Sequence, residues 1–218
     1  MTNRMLTEIP VVYNQLYQTY GCQHWWPAET AFEVMVGAIL VQNTAWKNVE
    51  KAMLQLEPYL DPVQMFHLPI EKLEQLIRSS GFFRIKARRL HAFLTWFKNY
   101  DFKMEQLHCQ DTYLLRNQLL AINGIGPETA DSILLYALHR PVFVIDAYTR
   151  RIFKRLGFDL PKKYQDLRYL FEAALVKDVQ LYNEYHALIV QHAKVHCKVK
   201  PICPTCPLLD RCEQNVGS

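Results

Sequence analysis

Apolar positions recur at helical spacing along most of the chain. Ile9, Val12, Leu16 and Tyr20 share one side of a helix predicted over 6–20. A second helix, opened by Glu29 or Thr30, carries Phe32, Val34, Met35, Ala38, Ile39 and Val41; it is apolar almost all round and therefore expected to be buried. The patterns over 49–56 and 70–77 predict two further helices, joined by a loop punctuated by Pro58, Pro62 and Pro69. Helices over 90–100 and 113–121 follow, then one with Ala130, Ile133, Leu134 and Ala137 on a single face. A helix after Asp146 is expected to stop at Gly157, and 164–176 and 182–195 complete the set. Strand-like alternation is missing apart from the short run Val142 to Ile145. With seven glycines in 218 residues and no low-complexity linker or internal repeat, the pattern predicts an all-α protein.

Half of the residues are hydrophobic, enough for one large core or two small ones. No run reaches the roughly 20 apolar residues of a membrane span, and the N-terminal stretch through Glu8 lacks an apolar signal region, so an intracellular chain without a membrane partner is expected. The balance of 25 Lys+Arg against 21 Asp+Glu, a net +4, permits nucleic-acid binding without demanding it. Six cysteines in a reducing compartment point to metal or cluster ligation rather than disulfides. Cys22 and Cys109 stand alone and read as small apolar fillers.

The chemistry concentrates in four places. Leu119 to Ala130 joins an apolar helix end, a Gly124-Ile125-Gly126 turn and a Pro127-Glu128-Thr129-Ala130 helix start. Both glycines suit positive φ or the close approach of another group, Pro127 falls at the first helical position, and the tip would present backbone N–H groups suited to a phosphate. A plain αα-hairpin is the bland alternative. Asp146, after the apolar run, is either the N-cap of the following helix or a functional carboxylate. Gln42-Asn43-Thr44-Ala45-Trp46 puts polar groups and an aromatic at the end of the buried helix, and Trp25, Trp26 and Pro27 precede it, as core anchors or as a binding surface. From Ser79 to Leu90 a glycine turn, Phe82, Phe83 and the cations Arg84, Lys86, Arg88 and Arg89 follow one another, either as a solvated helix face or as a nucleic-acid contact.

Near the C-terminus Cys197, Cys203, Cys206 and Cys212 form C-x5-C-x2-C-x5-C, four thiols in one loop. Such a set binds either a tetrahedral zinc or a [4Fe–4S] cluster. Only Cys203 and Cys206 have knuckle spacing, so the wide outer gaps favour the cluster. Lys194, Lys198 and Lys200 lie beside it, placed to meet phosphates.

Together the hairpin, the Gly/Pro turn with its downstream aspartate and the cysteine loop resemble the endonuclease III, or helix-hairpin-helix-GPD, superfamily of DNA glycosylases. The resemblance covers most of the chain. The first cysteine gap is one residue shorter than in endonuclease III. The resemblance implies two helical domains, 28–138 with six helices and 1–27 plus 139–218 with the aspartate and cysteine loop, and a catalytic cleft between them. It implies double-stranded DNA with a damaged base as partner, a monomer, and a nucleoid-associated location. Asp146 would be catalytic, stabilising an oxocarbenium-like state at C1′. Gln42 would fill the space left by a flipped nucleotide, and Phe82 or Phe83 would wedge the minor groove. Arg84, Lys86, Gly124, Gly126, Lys198 and Lys200 would hold DNA.

Strand-cutting members carry a lysine where this chain has Glu128, and a carboxylate cannot form an imine. A monofunctional enzyme is therefore expected. Mismatch adenine glycosylases need a glutamate where Gly37-Ala38 stand here. Trp26, Pro27, Trp46 and Glu128 look like the 3-methyladenine branch, in which the tryptophans would sandwich an alkylated, cationic purine. A bifunctional nuclease for oxidised pyrimidines and a non-catalytic DNA-binding iron–sulfur protein are the alternatives.

Overall fold

A computed structural model describes residues 2–23, 25 and 28–213. Helix α1 (Thr2–Tyr20) buries Met5, Ile9, Val12 and Leu16 on one face, as the spacing predicts. The chain divides into two compact units, Met1–Trp25 with Pro141–Ser218, and Trp26–Arg140.

In the second of these, α2 (Ala31–Leu40) is the hub. Thr30 caps it by accepting from Glu33 N at 3.2 Å, and all of Val34 to Leu40 is buried. Around it the chain lays α3 (Trp46–Leu56), α4 (Pro62–Phe66), α5 (Ile70–Leu76), α6 (Phe83–Lys98), α7 (Met104–His108), α8 (Thr112–Ala121) and α9 (Pro127–Ser132), the last continued by a π-helical turn over Ile133–Ala137. Three of these, α4, α6 and α7, depart from the sequence pattern, which predicts no helix over 104–108. The proline-punctuated segment expected as a loop contains α4, because Asp61 caps it by accepting from Gln64 N at 2.8 Å and Pro62 sits at its first position. Helix α6 begins at Phe83, about two turns before the predicted Leu90, so the basic run lies on the helix, as the helix-face alternative expects.

The first unit resumes with Val142 to Ile145. All four residues are buried and the segment runs without strand pairing: Phe143 N donates to Glu172 Oε1 at 3.0 Å and Ile145 N to the Tyr164 hydroxyl at 3.1 Å. Side chains thus satisfy the N–H groups that a sheet ladder would otherwise claim, and there is no strand among the described residues. Phe143 stacks on Phe171 at 4.6 Å and meets Tyr182 and Tyr185 edge-on. That aromatic cluster anchors the segment leading to Asp146. The unit closes with α10 (Ala147–Arg155), α11 (Tyr164–Ala174) and α12 (Val179–Val195); α1 packs on the last two, and the buried Tyr185 hydroxyl donates to Ile9 O at 2.7 Å. No helix among the described residues is long and apolar enough to cross a membrane.

Candidate functional site

The hairpin forms as the residues dictate. Helix α8 stops at Ala121, Gly124 turns the chain at φ +88° and Pro127 starts α9. Buried Ile125 anchors the turn between the glycines. The two arms are tied by a bidentate ion pair, Arg116 Nε and Nη2 to Asp131 at 2.6 and 3.1 Å, with Asp131 wholly buried. The two glycines differ. Gly124 needs the left-handed region and tolerates no Cβ, whereas Gly126 is extended (φ −87°) with open space where a Cβ would be. Of the two uses expected of these glycines, positive φ applies at Gly124, while Gly126 adopts a backbone open to any residue. Glu128 lies exposed in the first turn of α9, and no side chain caps that helix at Gly126.

The basic run sorts into different roles than its composition suggested. Phe82 is 66% exposed and left-handed at φ +47°, following Gly81 at +68°. Holding a bulky residue there costs about 1–2 kcal/mol. Phe83 is half-buried, with Arg78 and Arg84 over its ring at 5.9 and 5.7 Å, so Phe82 is the more exposed of the two. Arg84 is exposed. Lys86 corrects the expectation of a DNA contact: it is 1% exposed, and its Nζ donates to Leu40 O at 2.8 Å and Ser80 O at 2.6 Å. Burial, with Arg89 adding, brings it down to about 8. It joins the end of α2 to the turn before Phe82 from inside. Gln42, two residues past Leu40, is also engaged: its Nε2 donates to Gly124 O at 3.1 Å and Thr129 Oγ1 at 2.8 Å, linking α2 to the hairpin.

Asp146 caps α10. Its Oδ1 accepts from Thr149 N and Thr149 Oγ1, both at 2.7 Å, and His186 Nε2 of α12 stands 3.5 Å from Oδ2. Burial pushes this carboxyl up, but the hydrogen bond and charge of His186 and the two bonds from Thr149 outweigh it and hold the group below its ordinary range. It is therefore an ionised carboxylate kept inside the protein. His186 was not legible in the sequence; a lone histidine on the buried face of α12, forty residues away, carries no local signal.

The four loop cysteines line one cavity with His192, Ile152, Leu156 and Leu208. No three His, Cys, Asp or Glu among the described residues stand close enough to share a single ion. Arg155 holds the loop: its Nη1 donates to Cys197 Sγ at 3.2 Å and Lys198 O at 2.6 Å, its Nη2 donates to Val199 O at 3.0 Å, and its own carbonyl accepts from Cys212 Sγ at 3.3 Å. Lys198 and Lys200 are exposed. Burial pushes the Cys206 thiol up, and the other three cysteines push it further against one backbone bond. These sulfurs face one another across a common space.

Trp26 and Pro27 lie outside the described residues. Trp25 carries Lys194 Nζ over its ring at 5.3 Å. Trp46, at the start of α3, lines an open cavity of about 700 Å³ together with Glu29, Glu33, Glu50, Glu57 and Leu54.

Comparison with known proteins places these features. The family model described as "HhH-GPD superfamily base excision DNA repair protein" matches residues 36–177, from within α2 through the hairpin and Asp146 to the end of α11. The chain is 50% identical over 206 residues (92% of this chain, 94% of the other) to "Putative DNA repair glycosylase MJ1434" of Methanocaldococcus jannaschii. It is 33% identical over 215 residues to endonuclease III of Sulfolobus acidocaldarius, covering 96% of this chain and 92% of that one. Among solved structures, the H. pylori 3-methyladenine DNA glycosylase bound to 1,N6-ethenoadenine superposes with a TM-score of 0.73 at 27% identity, over 88% of this chain and 97% of that one. The hairpin, the capping carboxylate and the all-helical frame thus have one common explanation: the chain belongs to the HhH-GPD superfamily and is a base excision DNA repair glycosylase.

Proposed function

We propose that the chain is a monofunctional glycosylase that releases an alkylated purine from duplex DNA by hydrolysis. The observation that carries this is Asp146, a carboxylate held ionised inside the protein by Thr149 and His186. As the N-glycosidic bond breaks, its electron pair leaves with the base and positive charge grows at C1′; a fixed, desolvated carboxylate stabilises that charge without reorganising. Water then adds at C1′ and loses a proton. Thr149 occupies Oδ1, so Oδ2 is the edge available to charge or water, with His186 setting its position. Glu128, exposed in the first turn of α9, replaces the amine that strand-cutting members use there. The buried Lys86 is no substitute, because both neighbouring carbonyls claim its Nζ.

Trp46 and its surroundings support this substrate class. An indole face in a cavity ringed by four glutamates favours a flat cation over a neutral base. An N-alkylated purine carries that charge and is already a good leaving group, so the site needs no acid to protonate it. The relative bound to ethenoadenine supports a purine. Phe82 would unstack the duplex, Gln42 would occupy the vacated space, and the hairpin tip at Gly124 and Gly126, with Arg84, Lys198 and Lys200, would meet phosphates.

The cysteine loop fits a [4Fe–4S] cluster better than zinc. Four thiols surround a cavity instead of converging on a point, as the corners of a cubane require. Cys197, Cys203, Cys206 and Cys212 would hold it, and when bound it would staple a loop that has no helix longer than one turn.

Duplexes bearing single lesions test the whole reading. We expect base release from 3-methyladenine-type substrates, with strand breaks only after alkali. The identity to endonuclease III gives weight to a bifunctional enzyme for oxidised pyrimidines; breaks without alkali on such lesions would establish it instead.

A further inference from the structure

Arg89, on α6, serves a purpose that its basic neighbourhood disguises. Its stem lies across the hairpin turn: a Cβ built on Gly124 would fall 2.4 Å from Arg89 Cγ and 2.6 Å from Cδ. Its Nη1 donates to Gln42 Oε1, and Gln42 Nε2 donates onward to Gly124 O and Thr129 Oγ1. An arginine has only donors, so Oε1 is the atom that must face it and the amide can sit only one way round. Both N–H bonds of Gln42 are then spent on the hairpin, in a half-buried setting where a charge-assisted bond is strong. The glycine, the arginine and the glutamine require one another. Any side chain at position 124 would displace Arg89, and without Arg89 nothing on α6 would orient Gln42.

We propose that Arg89 is a positioning residue for Gln42: it fixes the amide against the hairpin, so that docking of the hairpin on a phosphate and presentation of Gln42 to the duplex are a single event. The proposal rests on the base-flipping glycosylase reading above. Its chemistry is distinct from a phosphate contact, which would need the guanidinium free and would show itself in affinity for any DNA.

Arg89→Met keeps the stem over Gly124 and removes the guanidinium. In a lesion duplex carrying 2-aminopurine opposite the damaged base, the fluorescence rise on flipping and the single-turnover rate of base release should both fall by about tenfold, the factor that loss of a charge-assisted bond commonly gives. Affinity for undamaged duplex should change less than about threefold, well short of the loss expected from removing a direct phosphate contact. The same substitution in a Gln42→Ala background should add nothing further, which a merely structural arginine would not satisfy. Thr129→Val, which cuts the same chain at its far end without touching the charge, should lower flipping in the same direction. The proposal is overturned if Arg89→Met multiplies the Gln42→Ala defect, if it weakens undamaged-duplex binding as much as it weakens flipping, or if both single variants flip normally. Should the unaltered protein neither flip nor release any lesion, the glycosylase reading fails and this inference falls with it; normal flipping by the parent isolates the failure to Arg89.

Discussion

Replacing Asp146 with asparagine separates the two roles of that side chain. Asparagine is as good an N-cap as aspartate, and its carbonyl oxygen keeps both 2.7 Å bonds from Thr149. The charge alone is lost. That forfeits about 0.3–1 kcal/mol of helix-dipole interaction and the attraction of His186 at 3.5 Å, and it relieves the desolvation of a buried carboxylate. Because these oppose one another, the net change in stability should stay within about 1 kcal/mol, a melting shift of about 2–4 °C for a chain of this size. Base release loses a transition-state interaction and should fall by a factor on the order of a hundred to a thousand, equivalent to about 2.7–4 kcal/mol.

Single-turnover base release, affinity for lesion duplex and thermal melting, measured on the same preparations, decide the matter. The stability gap has a pH signature with a definite sign. Because the folded carboxyl sits below its ordinary 3.8, its charge contributes stability above that value and ceases to do so as pH falls through the lowered one. Any melting advantage of the parent over the variant should therefore shrink below about pH 4. Near-normal turnover by Asp146→Asn would show that Asp146 is only a cap. A loss of several kcal/mol in stability would show that its charge is structural.

Glu128→Lys should create a borohydride-trappable covalent adduct with lesion DNA that the parent does not form; strong trapping by the parent would mean another amine serves and would end the monofunctional reading. The purified protein should be brown, with iron and sulfide bound, and Cys203→Ser should lower the melting temperature of the loop, read by protease cleavage within 197–212, more than it slows base release; a colourless, zinc-loaded and fully active preparation would refute the cluster. Lys86→Met should cost about 1–3 kcal/mol by leaving Leu40 O and Ser80 O without a donor, and the parent's advantage should widen between about pH 8 and 10.5, where the unfolded lysine holds a proton that the folded one has lost. A neutral amine still has two N–H groups for the two carbonyls, so the bonds survive the change; a gap that is flat across that range would refute the internal placement.

Much of this protein was legible in its sequence because the signals are local. A helix start such as Asp146-Ala147 is written in adjacent residues, with an oxygen able to reach back to the third N–H. The Gly-Ile-Gly-Pro turn is equally local: φ preference and the missing proline N–H act within four residues. The all-helical class followed from period alone, and the resemblance to the glycosylase superfamily, carried by the hairpin, the aspartate and the cysteine spacing, agrees with the family match. Even the misread α4 was there to be found, since Asp61-Pro62 is a cap followed by a first-turn proline.

What tertiary structure decided were the roles that depend on segments meeting from far apart in the chain. Lys86 and Arg89 stand in the same basic run as Arg84, and periodicity cannot say that two carbonyls from other segments converge on the first or that a glycine 35 residues on makes room for the second. The Val142–Ile145 run looks like a strand because it is short, apolar and largely β-branched, and all four residues are buried, but strand or coil depends on what takes its N–H groups, and here Glu172 and Tyr164 do. A local pattern fixes backbone conformation within a few residues because torsions and caps act there. The charge state of Asp146 depends on the low dielectric around it and on His186, forty residues away, which only the packing of α10 against α12 brings to 3.5 Å.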